Sequence, residues 1–262
     1  MMTDMAFTTS SGVRIHWDAK GSGRAVLLVM GAAYSSAMWY PVIDALATEH
    51  RVIWFDNRGI GQSQTVGHGS IQDMAADGVA VLDAAGVEKA AVYGVSLGGV
   101  VSLQLALQSP ERVSALVLGC TGILDDAKPR APKALNAMAY LPRPVLRRLM
   151  GTSGYGPAAR PEAVARDLEV LRTMQASRAG VVQQQNALRA YSVKKSDVAG
   201  LDVPTLVLHG TADSTVKPEW GAELAETLPH AKLVTYEGAG HNYLVSYPEQ
   251  ANADVLAFLA SV

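Results

Sequence analysis

Short runs of apolar residues alternate along this chain with longer segments in which apolar positions recur at helical spacing. The short runs are predicted to be strands, and four of them are apolar at nearly every position, as is typical of parallel strands covered on both faces. Most runs end at a glycine, as expected where a strand turns out of a sheet. The predicted strands are VRIHWDAKG, AVLLVMG, RVIWFDNRG, KAAVYG, VSALVLG, PTLVLHG and KLVTYEG.

Five segments with helical periodicity lie among these runs, at residues 38–48, 71–85, 97–108, 219–228 and 248–260. Ser70 precedes the second segment and Asp73 stands three positions later, a spacing that predicts a capping box. Alternation of strand and helix over this length predicts an α/β fold with a doubly wound, mostly parallel sheet. The first two strands meet around Ser11 and Gly12, and we expect them to form an antiparallel hairpin instead.

The alternation fails between residues 121 and 200, which contain six of the 12 prolines and no convincing strand. Apolar residues at helical spacing, among them Val164, Leu168 and Leu171, predict helices there. We therefore expect residues 1–120 and 201–262 to form the α/β core, with residues 121–200 as a helical insertion. The alternative is a separate helical domain, but the low density of large apolar residues favours a segment that rests on the sheet.

The composition agrees with a large buried core and excludes several classes of partner. Of the 262 residues, 49% are hydrophobic and 18% are charged, which argues against disorder. The formal net charge is -2, and Lys and Arg form no long run. We therefore expect neither a nucleic-acid-binding face nor a polybasic membrane-binding surface.

Cysteine content and apolar run length bear on the compartment. The single cysteine, Cys120, excludes an intramolecular disulfide, and its place at the end of an apolar run predicts a buried, unreactive thiol. No positively charged segment followed by a long apolar stretch opens the chain, and the apolar runs are too short to span a bilayer. We expect a soluble cytoplasmic protein without a membrane partner, and association into a homo-oligomer stays open.

Candidate chemistry begins with GVSLGG at residues 94–99, where a serine separates an apolar run from a helical segment. A serine hydroxyl is a weak nucleophile that needs a base beside it and donors for the developing oxyanion. A sharp strand-to-helix turn exposes the hydroxyl, and small flanking residues relieve its crowding. Gly94 and Gly98 hold those flanking positions, so Ser96 is the candidate nucleophile. The alternative is an ordinary turn that contains a serine.

A base and an acid for this serine are expected after later strands. His241 lies in GAGHN on a loop of small residues after the last strand, whereas the other five histidines are interpreted as structural or surface residues. Asp213 follows the strand PTLVLHG, and Asp125 and Asp126 compete with it as the acid. Because carboxyl ends of parallel strands meet at one edge of a sheet, Ser96, Asp213 and His241 are predicted to converge, in the chain order of Gly-x-Ser-x-Gly hydrolases.

Two backbone N–H groups are candidates for the oxyanion hole. The Leu97 N–H opens the helix that follows the candidate nucleophile. Gly31 permits a sharp turn after AVLLVMG, which would present the Ala32 N–H as the second donor. For Ala32, the alternative is an ordinary turn that ends a strand.

These motifs together resemble the α/β-hydrolase superfamily. VMGAAYSSAMW, FDNRGIGQS, GVSLGG, LHGTADSTV and GAGHN are similar, in order and spacing, to its oxyanion loop, the loop after its fourth strand, its elbow, its acid turn and its histidine loop. The resemblance covers nearly the whole chain. It implies a Ser96–His241–Asp213 triad, an oxyanion hole from Ala32 and Leu97, and a helical cap at residues 121–200. It implies neither a metal nor an organic cofactor.

Two departures from the family pattern refine this expectation. Family members often carry His-Gly where this chain has Met30 and Gly31, so the backbone donor survives but a bracing side chain is lost. The nucleophile is a serine, which argues against haloalkane dehalogenase and epoxide hydrolase activities, because those members use an aspartate. Asp56 and Arg58 of FDNRG are expected to be structural.

The expected function is hydrolysis of a small-molecule ester or lactone that is uncharged and partly apolar. Carbon–carbon bond hydrolysis and cofactor-free perhydrolysis are alternatives on the same triad. A ligand-binding receptor or scaffold with little turnover is the alternative from a different class, because a fold does not determine a function. Five residues could line an apolar acyl pocket, but we interpret them in preference as the interior of the cap: Met138, Tyr140, Leu141, Leu146 and Met150.

Overall fold

A single eight-stranded sheet organises the molecule, for which the computed structural model describes residues 6–129, 145 and 154–262. The strand order is β1-β2-β4-β3-β5-β6-β7-β8. The strands are β1 (Ala6–Ser10), β2 (Val13–Lys20), β3 (Ala25–Val29), β4 (Arg51–Phe55), β5 (Ala90–Val95), β6 (Val113–Gly119), β7 (Thr205–Gly210) and β8 (Ala231–Tyr236).

Pairing along the sheet confirms the predicted α/β class. β1 and β2 are antiparallel, as are β2 and β4, whereas all pairs from β4 through β3 to β8 are parallel. The hairpin between β1 and β2 turns at Ser11 and Gly12, whose φ angles of 48° and 79° suit a tight antiparallel turn. The sheet is therefore mostly parallel, with an antiparallel hairpin at one edge.

Helices cover both faces of this sheet. The described α-helices are α1 (Ile43–Leu46), α2 (Ile71–Ala84), α3 (Leu97–Gln108), α4 (Pro161–Thr173), α5 (Arg178–Ala190), α6 (Lys195–Ala199), α7 (Pro218–Thr227), α8 (Tyr243–Ser246) and α9 (Pro248–Ala260). Two short 3₁₀ helices span Ser36–Trp39 and Pro110–Arg112. The predicted capping box of α2 is confirmed, since the Ser70 hydroxyl accepts from the Asp73 N–H and the Asp73 carboxylate accepts from the Ser70 N–H.

The prediction of one helix over residues 38–48 is wrong. The structure instead has the 3₁₀ helix Ser36–Trp39 followed by the single-turn helix α1. Pro41 lies between them, and a proline supplies no N–H to a helical hydrogen-bond ladder and clashes with the preceding turn. The sequence between β3 and α1 therefore forms an irregular connection, which we call the β3–α1 connection (residues 30–42).

Alternate residues of the parallel strands build two separate cores, one on each face of the sheet. In β3, Leu27 and Val29 pack into the cluster that includes the apolar sides of α2 and α3. Val26 and Leu28 face the opposite cluster, which includes Trp39 and the apolar side of α9. All four β3 side chains are at most 1% exposed, which explains why such strands are apolar at every position.

Residues 120–204 connect β6 to β7, and we call them the β6–β7 segment. The helices predicted there from helical spacing are present as α4 and α5. The backbone N–H of Val193 donates to the carbonyl of Leu124 at 3.0 Å, which brings the two ends of the segment together. The division into a core and an inserted cap stays a prediction.

Some predicted features of this segment lie outside the described residues. The run VLRRLM (residues 145–150) is also expected to be helical, and all of it except Val145 lies there. So do the candidate pocket residues Met138, Tyr140, Leu141, Leu146 and Met150. In the part of the chain that the structure describes, no helix combines the length and apolar character needed to cross a membrane.

Candidate active site

The predicted site residues lie at the carboxyl ends of parallel strands. Ser96 follows β5, Asp213 comes three residues after β7, His241 comes five residues after β8, and Ala32 comes three residues after β3. These strands all belong to the parallel part of the sheet. Their carboxyl ends therefore meet at one edge, where open α/β sheets bind ligands.

Ser96 has a backbone conformation that non-glycine residues rarely adopt, with φ 55° and ψ −119°. Such a conformation costs about 1–3 kcal/mol and persists only where its surroundings enforce it. Two hydrogen bonds hold it: the Ser96 N–H donates to Gly119 O at 2.8 Å, and Thr121 Oγ1 donates to Ser96 O at 2.9 Å. Ser96 occupies the N-cap of α3, yet its side chain makes no capping hydrogen bond. The hydroxyl thus does not perform the usual task of a serine at this position.

The glycines beside Ser96 are required by close backbone contacts. A Cβ atom on Gly98 would lie 1.9 Å from the carbonyl oxygen of Val29. A Cβ atom on Gly94 would lie 2.2 Å from the carbonyl oxygen of Gly98. Side chains at either position would force the strand-to-helix turn apart, so the two glycines make this turn sterically feasible.

The β3–α1 connection passes beside this turn. A Cβ atom on Gly31 would lie 3.4 Å from the Ser96 Cβ. Asn57 Nδ2 donates to the carbonyl of Met30 at 2.8 Å, so a side chain from the end of β4 braces the start of the connection. This role could not be predicted from local sequence, because it depends on a contact between residues 27 positions apart.

The two candidate oxyanion donors are available for a ligand. Neither the Ala32 N–H nor the Leu97 N–H has a hydrogen-bond acceptor among residues 6–129, 145 and 154–262. Leu97 is the first residue of α3, and the first N–H groups of a helix point out of its end without intrahelical partners. Such groups stabilise a negative charge that is placed before them.

His241 and Asp213 form a direct hydrogen bond. His241 Nδ1 lies 2.7 Å from Asp213 Oδ2. The other carboxylate oxygen of Asp213 accepts from the backbone N–H groups of Thr215 at 2.8 Å and Val216 at 3.0 Å. The carboxylate is therefore fixed on one side by backbone and presents its second oxygen to the imidazole.

The hydrogen bonds around Asp213 keep it ionised. Burial acts to raise the pKa of this carboxyl, but hydrogen bonds from His209 and His241 and the charge of His241 outweigh it and hold the pKa well below its ordinary value. An ionised carboxylate at Nδ1 favours the tautomer in which His241 Nε2 is free to accept a proton.

His209 and Cys120 support the same carboxylate, a role that the sequence did not reveal. His209 Nε2 lies 3.0 Å from Val216 O and 3.4 Å from Asp213 Oδ2, and its ring is fully buried. Gly221 permits this, because a Cβ atom there would lie 2.3 Å from His209 Nδ1. Cys120 is 1% exposed, and burial together with the nearby Asp213 charge raises the pKa of its thiol well above the ordinary value.

Ligand atoms of Cys120, His209 and Asp213 lie within 4.8 Å of one another, the spacing of a metal-binding group. Asp213 already accepts from two backbone N–H groups and contacts His241, and His209 Nε2 contacts Val216 O, so only His209 Nδ1 has no partner among the described residues. The cluster therefore supports the Asp213 carboxylate and is poorly suited to hold a metal. The raised thiol pKa agrees with the expectation that Cys120 is unreactive.

The loop that carries His241 is fixed on two sides. Tyr243 Oη lies 2.7 Å from the Tyr93 Oη of β5, three residues before Ser96. On the other side, the Gly240 N–H donates to Tyr155 O at 2.9 Å, within the β6–β7 segment. These contacts tie the histidine loop both to the strand of the candidate nucleophile and to the segment above the sheet edge.

Some of the predicted site residues that the structure describes make no hydrogen bond to one another. Within the described ranges, no hydrogen bond joins Ser96 Oγ to His241. Such bonds are often long without substrate and tighten when it binds. The competing acids lie elsewhere: Asp125 accepts from the Ala127 N–H at 3.1 Å in its own turn, and Asp126 accepts from Ser192 Oγ at 2.6 Å.

Asp56 and Arg58 have the structural contacts that were expected of them. Asp56 is buried and accepts from the N–H and hydroxyl of Ser36, each at 2.8 Å, and lies 3.1 Å from His16 Nδ1. Arg58 forms a two-pronged ion pair with Asp77 of α2, at 2.6 and 2.7 Å. Both residues hold the segment after β4 against its neighbours.

Comparison with known proteins shows the family of this chain. The chain belongs to the alpha/beta hydrolase fold family, whose model matches residues 24–246. RutD of Variovorax paradoxus (strain S110), named as a candidate carbamate hydrolase, is 32% identical over 95% of this chain and 97% of its own. A pimeloyl-[acyl-carrier protein] methyl ester esterase of Aliivibrio salmonicida is 25% identical over 94% of this chain and 95% of its own.

A solved structure has the same fold over nearly the whole chain. A hydrolase from Pseudomonas aeruginosa PA01 superposes with a TM-score of 0.86 at 27% identity, covering 99% of both chains. The family and these relatives support hydrolase activity for this chain.

Proposed function

We propose that this chain is a serine hydrolase that cleaves a small-molecule carboxylic ester or lactone through an acyl-enzyme. The observation that carries the proposal is the 2.7 Å contact between His241 Nδ1 and Asp213 Oδ2, at the sheet edge where the strained Ser96 turn lies. A base oriented by a carboxylate at the edge that carries a half-buried serine suits the activation of a hydroxyl.

The first half of the reaction forms the acyl-enzyme. His241 Nε2 accepts the proton of Ser96 Oγ as that oxygen attacks the substrate carbonyl. The carbonyl oxygen gains negative charge and is stabilised by the N–H groups of Ala32 and Leu97. His241 then gives its proton to the leaving alkoxide, so the alcohol departs and the acyl group stays on Ser96.

The second half releases the acid. His241 accepts a proton from a water molecule that attacks the acyl carbonyl, and the same two N–H groups stabilise the second oxyanion. The Ser96–acyl bond breaks, and His241 returns the proton to Ser96 Oγ. Asp213 stabilises the imidazolium in both halves, and the steps use only protein groups and water.

Two relatives support a substrate with a carbonyl next to oxygen. One relative is named as an esterase for a methyl ester, and another as a candidate carbamate hydrolase. We propose an uncharged, partly apolar substrate and a role for the β6–β7 segment as a cap over it. A carbamate carbonyl would be attacked in the same manner, so carbamate esters belong among the compounds tested.

Reaction with a fluorophosphonate probe and turnover of p-nitrophenyl esters test the proposal. Wild-type protein is compared with Ser96→Ala on esters of increasing acyl length, on lactones and on a p-nitrophenyl carbamate. Ser109→Ala is the matched control, because Ser109 lies at the opposite end of the same helix, α3. We expect labelling and turnover in the wild type and in Ser109→Ala, and neither in Ser96→Ala. A protein that is neither labelled nor active at Ser96 would instead be a ligand-binding member of the fold.

A further inference from the structure

The β6–β7 segment holds the β3–α1 connection through three side chains. Gln184 Oε1 of α5 accepts from the Ala33 N–H at 2.8 Å. Met174 Sδ accepts from the Ser35 N–H at 3.0 Å, and Asp167 of α4 accepts from Tyr40 Oη at 3.1 Å. The first of these contacts falls on the residue next to Ala32, a candidate oxyanion donor.

Ala33 has a conformation that needs external support. Its φ angle is 66°, in the left-handed region that costs a residue with a Cβ atom about 1 kcal/mol or more. Only the φ and ψ of Ala32 separate the Ala33 N–H from the peptide that carries the Ala32 N–H. Fixing the direction of the Ala33 N–H therefore restricts the direction in which the Ala32 N–H points.

The helix that carries Gln184 is itself fixed to the rest of the molecule. Near its start, a Cβ atom on Gly180 would lie 1.9 Å from Gly59 O, and Ser177 Oγ donates to the same carbonyl at 3.1 Å. Just after its end, Tyr191 Oη donates to Gln104 Oε1 of α3 at 2.9 Å. The Gln184 side chain, at 0% exposure, thus extends from a rigid support.

The chemistry of an amide suits this position. Its oxygen accepts the Ala33 N–H without placing a negative charge beside a site where an oxyanion develops, as a carboxylate would. The amide also lowers the stability of the fold, because Gln184 Nε2 is buried without a hydrogen-bond partner in the described residues. A buried donor without an acceptor costs about 1–3 kcal/mol.

We propose that Gln184 is a positioning residue for the oxyanion hole. From the β6–β7 segment it fixes the Ala33 peptide and thereby aims the Ala32 N–H at the substrate carbonyl oxygen. The inference rests on the proposed serine hydrolase function and adds that part of the oxyanion hole is set by a residue about 150 positions away in sequence.

The test compares Gln184→Met with Gln183→Met, its matched control. Gln183 is a neighbour on the same helix and is 2% exposed, but among the described residues its side chain makes no hydrogen bond to the β3–α1 connection. We expect Gln184→Met to lower kcat on p-nitrophenyl butyrate about 10- to 100-fold with little change in KM, since removing an oxyanion donor outright costs about 100- to 1,000-fold. The rate of fluorophosphonate inactivation should fall in parallel, whereas Gln183→Met should keep both rates.

Gln184→Glu provides a second variant of nearly the same size and a readout that a packing role would not move. The carboxylate also accepts from Ala33, but its charge opposes the oxyanion. Its kcat relative to wild type should therefore rise as the pH falls and the carboxyl becomes protonated. Three results would overturn the inference: a ratio of Gln184→Glu to wild-type kcat that does not change with pH, an unchanged kcat in Gln184→Met, or an equal loss of kcat in Gln183→Met. In each case an active wild type would leave the proposed function intact. Wild-type protein without Ser96-dependent labelling or turnover would remove both.

Discussion

Gly98 shows how strictly one residue is constrained by the turn around Ser96. Its missing Cβ would lie 1.9 Å from Val29 O, a contact with main chain that no rotamer change relieves. We expect Gly98→Ala to displace the turn, lower kcat by at least about 100-fold and destabilise the fold by about 1–3 kcal/mol.

Gly200→Ala is a suitable control for this substitution. A Cβ atom on Gly200 meets nothing closer than 3.4 Å, and its φ of −82° suits any residue. Ester turnover and thermal unfolding of both variants give the comparison. Full activity in Gly98→Ala would mean that the turn relaxes without moving Ser96.

Asp213 has two oxygens with different partners, which makes Asp213→Asn informative. The oxygen that accepts from Thr215 and Val216 should keep that position, so the amide NH₂ would face His241. His241 Nδ1 must then accept, which places the imidazole proton on Nε2, where the proton of Ser96 has to go. We expect kcat to fall by about four orders of magnitude. Asp125→Asn should retain activity. An active Asp213→Asn together with an inactive Asp125→Asn would identify Asp125 as the acid.

An ion pair joins the segment after β4 to helix α2. The Arg58 and Asp77 side chains are 4% and 0% exposed, so each desolvated charge depends on the other. We expect Arg58→Met to lower the free energy of unfolding by about 3–5 kcal/mol, because it leaves a buried carboxylate unpaired. Chemical denaturation measures this loss.

A double variant separates the ion pair from packing. Arg58→Met combined with Asp77→Leu removes both charges and should recover most of the lost stability. Lys20→Met tests a contrasting pair, since Lys20 and Asp44 are 55% and 81% exposed and should contribute less than about 1 kcal/mol. A double variant no more stable than Arg58→Met would assign the loss to packing.

Elements were predictable from sequence where their determinants are local. A strand buried on both faces is apolar at nearly every position, as β3 and β5 are. The capping box of α2 lies within four consecutive residues. Pro41 is also a local signal, because a proline ends a helix. The prediction of one helix over residues 38–48 followed their apolar periodicity instead and was wrong. Asn57, His209 and Gln184 carried no local signal, because their roles arise from contacts across the fold.

Packing of the β6–β7 segment on the rest of the molecule buries a carboxylate. Asp167 of α4 is 1% exposed and accepts from Tyr155 Oη at 2.7 Å and Tyr40 Oη at 3.1 Å. Burial raises the pKa of Asp167, and the two tyrosine hydrogen bonds offset only part of that effect. The whole molecule therefore carries a pH-dependent term in its stability.

The sign of this term follows from the raised pKa. The folded protein holds the Asp167 proton more tightly than the unfolded chain, so the stabilisation is complete below the unfolded pKa and is lost as the pH rises through the folded pKa. We expect the melting temperature of wild type to fall relative to that of Asp167→Asn as the pH rises above about 4, the ordinary pKa of an aspartate. Asp126→Asn, an exposed carboxylate in the same segment, should follow wild type. Parallel curves for wild type and Asp167→Asn would contradict the assignment.

The hydrogen bond between Val193 N and Leu124 O has an evolutionary consequence. Because the chain leaves the sheet and returns to it at neighbouring points, the intervening residues can be lengthened, shortened or exchanged while the strands keep their register. On the proposal that the β6–β7 segment caps the substrate, exchange of this one segment would change the substrate preference. If Gln184 positions the oxyanion hole as proposed, an exchanged segment has to supply an uncharged acceptor for the Ala33 N–H in its place.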